Sequence, residues 1–238
     1  VIMDMVTVDD IDCLSYWIDT YHLDGIRLED QDVVNEFRKV TCDKYSDVLV
    51  DLGWNTEAVT RVTDYMMIPP ASRGSFKDYT CGVTFNEKDK SVWALSHDEV
   101  AGQRGSYAAK MPGGYEDKYA DLRVLFGLVT TLPGRKLTFM GQELGGFGSF
   151  DGRSTIDWSV LEFDANNYFQ KYIKEVNKLY NIKAALHGCG DEEVVFHEDG
   201  HVMSFVRHGK TSADSLYIVC NFGLKDIGDY SLSVADEG

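Results

Sequence analysis

Apolar positions in the first four-fifths of the chain alternate between short continuous runs and helical spacing. Apolar residues recur at intervals of three and four from Val8 to Tyr21, which predicts a helix over residues 8–22. The same spacing predicts further helices at 33–42, 119–129 and 169–180, and short apolar runs predict strands at 23–28, 47–52, 92–95 and 136–140. Alternating strands and helices are typical of an α/β fold.

The pattern changes near residue 190, where apolar runs continue without helical spacing between them. These runs predict strands at 194–196, 202–206, 216–222 and 230–234. We therefore predict two regions: a β/α region over residues 1–189, and an incomplete all-β domain over residues 190–238.

The net charge of the chain narrows the classes of molecule that the protein is expected to bind. The 238 residues carry a net charge of −16 and have an isoelectric point near 4.7. Such a surface repels phosphate groups, which argues against nucleic acid or an anionic membrane as the main partner. A neutral ligand such as a sugar meets no such repulsion. No apolar stretch approaches the roughly 18 residues that a membrane-spanning helix needs.

Cysteine usage indicates a reducing compartment. The five cysteines are odd in number and scattered, with no Cys-x-x-Cys pair, which favours reduced thiols in a cytoplasmic protein over a disulfide scaffold or a zinc site. Because Val1 is not an initiator methionine, we expect these residues to be an internal fragment of a longer protein.

Three apolar runs end in carboxylates: Glu29, Asp51 and Asp98. In a parallel β/α barrel, the carboxyl ends of the strands meet at one rim, where active sites lie. Acids brought together there suit glycosidic chemistry, in which one carboxylate attacks the anomeric carbon and another transfers a proton. The alternative interpretation is that acids follow strands simply because loops are polar.

Other side chains near these acids suit sugar binding. Arg27 precedes Glu29 by two residues, so in a strand both point to the same face, and a bidentate hydrogen bond could keep the carboxylate ionised. A surface salt bridge is the alternative. His97 could bind a sugar hydroxyl or be structural. Three aromatic residues could stack on sugar rings or pack in the core: Trp93, Tyr107 and Phe147.

Several motifs together resemble a known family. They are YHLDGIR at 21–27, ALSHDEV at 94–100, KMPG at 110–113, LTFMGQE at 137–143, DW at 157–158, KAALH at 183–187 and VCNF at 219–222. In this order, over essentially the whole chain, they resemble the glycogen (1,4-α-glucan) branching enzymes of the α-amylase superfamily.

The resemblance implies a fold and an activity. The fold is the C-terminal portion of a (β/α)8 TIM barrel, followed by the start of an all-β C-terminal sandwich domain. The family cleaves an α-1,4 link in a linear glucan, holds the fragment on an aspartate and passes it to a glucose 6-hydroxyl. The implied partner is an α-1,4-glucan (glycogen, amylose or amylopectin), with no cofactor and no metal, and the oligomeric state is left open.

The resemblance also assigns roles to residues. Arg27 and His97 match the family's substrate-binding arginine and histidine, and Asp98 matches its transition-state-stabilising aspartate; Glu99 is assigned to substrate binding with them. Glu29 stands where the nucleophilic aspartate is expected, and Asp51 stands where the general acid/base glutamate is expected. One side chain is thus a methylene longer than in the family, and the other a methylene shorter.

The chain is shorter than the family at two places. The family carries a long active-site loop where this chain has only the step from Asp30 to Val33, and it carries its sixth barrel strand where this chain has only the step from Arg61 to Thr63, so we expect both to be missing here. A barrel without that strand must recruit another or leave an edge exposed.

Four hypotheses follow: an active branching enzyme, a non-catalytic glucan-binding relative, a hydrolase of the superfamily, or the product of a decaying gene or faulty gene model.

Overall fold

The computed structural model describes residues 2–5, 8, 10–28, 30–41, 43–51, 54–81, 83, 92–187 and 194–232. The chain divides into two compact units, residues 1–54 and residues 55–238.

The first unit is a three-stranded parallel sheet with two helices. Its elements in chain order are β1 (Ile2–Met5), α1 (Ile11–Tyr21), β2 (Gly25–Leu28), α2 (Gln31–Thr41) and β3 (Leu49–Asp51). The central strand is β2, where Gly25 lies opposite Ile2 of β1 and opposite Leu49 of β3. Parallel neighbours need a crossover between them, which α1 and α2 provide.

Local capping sets the ends of α1. The carboxylate of Asp10 accepts a hydrogen bond from the backbone N–H of Asp12 at 2.9 Å, so the helix begins at Ile11 rather than at residue 8. His22 ends it in the left-handed conformation, with φ of 50°. The apolar face of the helix contributes to the core of this unit, which consists of Leu14, Ile18, Leu23, Ile26, Leu28, Val34, Phe37 and Val50.

The second unit combines helices with two small sheets. Its elements are α3 (Thr56–Met67), α4 (Phe76–Tyr79), β4 (Val92–Leu95), α5 (Tyr107–Lys110), α6 (Tyr115–Thr131), β5 (Arg135–Thr138), α7 (Asp164–Ile182), β6 (His197–Asp199), β7 (Val202–Arg207) and β8 (Leu216–Asn221). Strands β4 and β5 are parallel, and β6, β7 and β8 form an antiparallel sheet in that order.

The antiparallel sheet shares one hydrophobic core with the helices. Phe222, directly after β8, stacks on Phe76 of α4 with ring centroids 5.4 Å apart, and it meets the edge of Tyr65 of α3 at 5.1 Å. Cys220 of β8 is buried in the same core, and burial raises the pKa of its thiol to about 12. The sheet is therefore packed onto the helical part of this unit.

A buried ion pair joins three segments of this core. Arg73 donates two parallel hydrogen bonds to the Asp121 carboxylate of α6, at 2.9 and 2.7 Å. Its guanidinium also donates to the carbonyl oxygens of Met66, Ile68 and Phe222. The arginine side chain is fully buried, and all three of its nitrogens have a partner, as a buried cation requires.

Most predicted elements are confirmed with shifted ends. Two predicted strands are wrong: residues 194–196 form none, since Phe196 is buried in the core from a loop and the strand follows at 197–199, and residues 230–232 form none. Residues 233 and 234 lie outside the described part. Helix α3 runs without a break through residues 61–63, the place at which the family resemblance led us to expect the sixth barrel strand to be missing.

The predicted α/β class is confirmed as a mixed α/β fold. The described strands form sheets of three, two and three strands, and these do not close a barrel. The boundary at residue 189 stays a prediction. Cys13, Cys81 and Cys220 are free thiols, while Cys42 and Cys189 lie outside the described residues. Across the described ranges, the helices are too short or too polar to cross a membrane.

Breaking the buried ion pair should destabilise the second unit strongly. Asp121→Asn leaves the guanidinium of Arg73 buried without its counter-charge, which costs about 3–5 kcal/mol. The control is Arg61→Met, because Arg61 pairs with Glu57 at 3.7 Å on the exposed surface of α3 and such pairs contribute under about 1 kcal/mol. Urea denaturation measures both variants. Equal losses in the two would contradict a stabilising role for the buried pair.

Candidate functional site

Arg27 is positioned in the first unit by β2. Its neighbour across the parallel pairing is Asp51, the last residue of β3. The guanidinium carbon lies 4.0 Å from the centre of the Trp54 ring, a cation–π distance. Of Asp51 the structure describes the backbone, and Glu29 lies outside the described residues. The predicted pairing of Arg27 with Glu29 therefore stays a prediction.

His97 and Asp98 lie in the second unit, in the turn that follows β4. The imidazole Nε2 of His97 is 3.4 Å from a carboxylate oxygen of Asp98, and their side chains are 34% and 43% exposed. The hydroxyl of the buried Ser96 accepts a hydrogen bond from the backbone N–H of Asp98 at 3.1 Å. Both side chains are thus accessible to a ligand, while the main chain beneath them is fixed.

Aromatic rings flank His97. Its imidazole lies 5.4 Å from the ring of Phe139 and 6.3 Å from that of Phe150, and these two rings meet edge to face at 4.8 Å. Hydrogen bonds from Gly102 N–H to the Phe150 carbonyl, and from Phe150 N–H to the Val100 carbonyl, join the two loops. The loop after β4 and the loop after β5 therefore support the histidine together.

Side chains from later in the chain also hold this turn. Gln142 donates from its amide nitrogen to the Ser96 carbonyl at 3.3 Å. Arg104 donates to the carbonyl of Asp98, and Lys110 donates to the carbonyl of Glu99. Within the described residues, the amide oxygen of Gln142 is buried without a hydrogen-bond partner. These contacts fix the backbone of the turn rather than its carboxylates.

The loop after β5 is held from below by α6 and α7. The hydroxyl of Tyr119 donates to the Gly145 carbonyl at 2.8 Å, and the amide of Asn166 donates to the carbonyls of Leu144 and Gly145. Gly145 has φ of +62°, and a Cβ there would lie 2.9 Å from the Tyr119 ring. The glycine is therefore needed for both conformation and space.

The three aromatic residues that were candidates for stacking on sugar rings differ in their exposure to solvent. Trp93 is 1% exposed and donates from its indole N–H to the Pro133 carbonyl at 2.6 Å, so it is a core residue. Tyr107 is also buried. Phe147 is 43% exposed and lies 6.1 Å from the ring of Tyr115, so it alone of the three offers a face to solvent.

The predicted site residues fall into two sets. His97, Asp98 and Glu99 share one turn, and Arg27 lies opposite the backbone of Asp51; each set is described within its own unit. Sequence reasoning did not single out Trp54 or Arg104 for these contacts. Gln142 and Lys110 were noticed only as parts of the LTFMGQE and KMPG motifs. Among the described residues, no group of three or more potential ligands could hold a metal ion.

Curated relatives match most of this chain. The 1,4-α-glucan branching enzyme of Aquifex aeolicus is 38% identical over 194 residues, which cover 79% of this chain and 31% of the relative. That of Geobacillus stearothermophilus is 33% identical over 207 residues, which cover 84% of this chain and 32% of the relative. The chain is a partial homologue of the 1,4-α-glucan branching enzymes. It spans less than a third of the length of these branching enzymes, and no family model matches it.

Solved structures show which fold the branching-enzyme homologue shares. A maltogenic amylase from S. marinus matches 94% of this chain and 34% of its own, with a TM-score of 0.66 at 15% identity. A Paenibacillus barengoltzii pullulanase, in complex with maltohexaose and α-cyclodextrin, matches 96% of this chain and 45% of its own, with a TM-score of 0.67 at 15% identity. The mixed α/β fold thus corresponds to part of these larger enzymes.

The packing beneath the loop after β5 is testable with two adjacent glycines. Gly145→Ala should destabilise the protein by about 2–4 kcal/mol, since it combines an unfavourable left-handed backbone with overpacking against Tyr119. Gly146→Ala is the matched control, because a Cβ there would meet nothing within 4 Å. Thermal or urea unfolding compares the two. A similar stability of both variants would show that the loop does not need Gly145.

Proposed function

We propose that this chain is part of the catalytic region of a 1,4-α-glucan branching enzyme. The observation that carries the proposal is identity of 33–38% to these enzymes over about four-fifths of the chain, together with an accessible His97–Asp98 pair at the end of β4. The reaction would cleave an α-1,4 link in a linear glucan and transfer the fragment to a 6-hydroxyl with retained configuration.

The proposed fold of the whole enzyme is a TIM barrel followed by an all-β domain. Residues 1–189 would form the C-terminal portion of a TIM barrel, and residues 190–238 the start of an all-β domain. In enzymes with such a barrel, the carboxyl ends of the parallel strands face the substrate. The partner would be glycogen, amylose or amylopectin, and the compartment would be the cytoplasm.

Each side chain then has a role. Glu29 would attack the anomeric carbon and hold the glycosyl fragment, while Asp51 would protonate the leaving oxygen and later deprotonate the acceptor hydroxyl. Asp98 would stabilise the positive charge that develops on the sugar ring. Arg27, His97 and Glu99 would hold substrate hydroxyls and the nucleophile.

The partial exposure of Asp98 and its contact with His97 support this assignment. A transition-state stabiliser must reach the substrate from a fixed main chain. In the turn after β4, the carboxylate is 43% exposed while the backbone is held by Ser96, Gln142, Arg104 and Lys110.

A branching assay tests the proposal. The native, full-length polypeptide is incubated with linear amylose, and new α-1,6 links are counted after enzymatic debranching. We expect new branches, and a loss of at least about 10²-fold in Asp98→Asn, because that variant removes charge stabilisation in the transition state. A folded protein that forms no branches would contradict the proposal.

A second candidate is a glucan-binding protein without turnover. Two residue identities favour it: Glu29 stands where the family resemblance leads us to expect an aspartate, and Asp51 stands where it leads us to expect a glutamate. A displacement of about 1 Å at a reacting group can cost 10²-fold in rate. This candidate predicts affinity for maltohexaose without new α-1,6 links.

Reversion of the two acids separates the candidates. For an active enzyme, Glu29→Asp with Asp51→Glu should change the rate and leave the product unchanged, because the reaction is already present. For a non-catalytic relative, branches should form only in the double variant. The same amylose assay reads both outcomes, and maltohexaose titration confirms that each variant still binds glucan.

A further inference from the structure

Two cationic side chains hold consecutive carbonyl groups in the turn after β4. Arg104 donates from its guanidinium to the carbonyl oxygen of Asp98, and Lys110 donates from its ammonium to the carbonyl oxygen of Glu99. Hydrogen bonds from charged donors are about twice as strong as neutral ones. The peptide groups on the carboxyl side of Asp98 and of Glu99 are thus both fixed by charge-assisted bonds.

The ammonium of Lys110 is itself held in place. It lies 5.3 Å from the centre of the Tyr107 ring, on the same short helix α5. Tyr107 is 3% exposed and packs edge to face on Phe126 of α6, at 6.1 Å. The hydroxyl of Ser106 caps α5 by accepting from the N–H of Ala109. The lysine therefore reaches the turn from a rigid base.

Arg104 reaches the turn from a different element. It ends the 3₁₀ turn Gly102–Arg104, whose Gly102 N–H donates to the carbonyl of Phe150 in the loop after β5. The side chain of Arg104 is exposed, so removing it leaves no cavity in the core. Lys110 thus fixes the turn from α5, and Arg104 fixes it from the 3₁₀ turn Gly102–Arg104.

We propose that Lys110 and Arg104 are positioning residues, which set the place of the Asp98 carboxylate by holding the carbonyls of Glu99 and Asp98. This inference rests on the proposed function, in which Asp98 must meet the transition state. Catalytic groups tolerate displacements of about 0.5 Å. Release of either carbonyl would move Asp98 beyond that tolerance, while the remaining side chains of the site would still bind glucan.

The charge on Lys110 gives this arrangement a pH dependence. Burial lowers the pKa of Lys110, while Glu99 of the turn and Asp64 of α3 oppose that shift and Arg104 adds to it. As the pH rises, the ammonium loses its proton and the charge-assisted bond weakens. Activity should therefore fall on the alkaline side, and Lys110→Arg should extend it to higher pH, because arginine stays protonated.

The test compares Lys110→Met, Lys110→Arg and Arg104→Gln in the native, full-length polypeptide. The matched control is Lys171→Met: this exposed lysine of α7 also lies over a tyrosine ring, that of Tyr168 at 5.5 Å. Crystal structures measure the position of the Asp98 carboxylate, and the amylose assay measures kcat and KM. Arg104→Gln keeps the test decisive if Lys110→Met does not fold.

We expect Lys110→Met to move the Asp98 carboxylate by more than about 0.5 Å and to lower kcat about 10–100-fold with little change in KM. Arg104→Gln should act in the same direction, Lys110→Arg should restore most of kcat, and Lys171→Met should match the wild type. An unmoved carboxylate in both Lys110→Met and Arg104→Gln would overturn the inference. If the wild type forms no branches, the proposed function fails, and the carboxylate position still decides the positioning role.

Discussion

The buried bond between Arg73 and Asp121 is the constraint on which the second unit depends. One guanidinium satisfies a carboxylate on α6, two carbonyls at the end of α3 and one carbonyl just after β8. Asp121 lies 48 residues after Arg73 in the sequence, and Phe222 lies 149 residues after it. A cation excluded from water must keep all of these bonds, so the three segments are fixed relative to one another.

The candidate site inherits its geometry from this arrangement. Helix α6 presents Asp121 to the arginine and, two residues earlier along the same helix, carries Tyr119, whose hydroxyl holds the loop after β5. That loop supplies Gln142 and Phe150 to the turn that contains His97 and Asp98. The position of the turn therefore depends on how α6 is seated in the core, although the turn itself is half exposed.

Periodicity predicted the elements whose burial is regular, and it failed where burial comes from irregular backbone. Helices α1, α6 and α7 bury one face each, so their spacing was visible in the sequence. Phe196 is as apolar as a strand residue, but it enters the core from a loop, so the strand predicted over 194–196 was wrong. By residue type Trp93 is a candidate for stacking on a sugar ring, but its burial makes it a core residue.

For the site, sequence reasoning could identify only residues with a recognisable motif. His97, Asp98 and Glu99 stand together in the chain, so their shared turn was expected. The contacts of Arg104 and Lys110 are with backbone carbonyls, which every residue has, so no side-chain pattern announces them. Asp121 gave no signal either, because its partner lies 48 residues earlier.

The raised pKa of the Cys220 thiol has a consequence for its reactivity. Near neutral pH this thiol is uncharged and enclosed, and thiols attack alkylating reagents and disulfides as the thiolate. The exposed thiols of Cys13 and Cys81 meet such reagents in the folded protein, whereas Cys220 meets them only when β8 leaves the core. The rate at which Cys220 is alkylated therefore reports how often the antiparallel sheet separates from the helices.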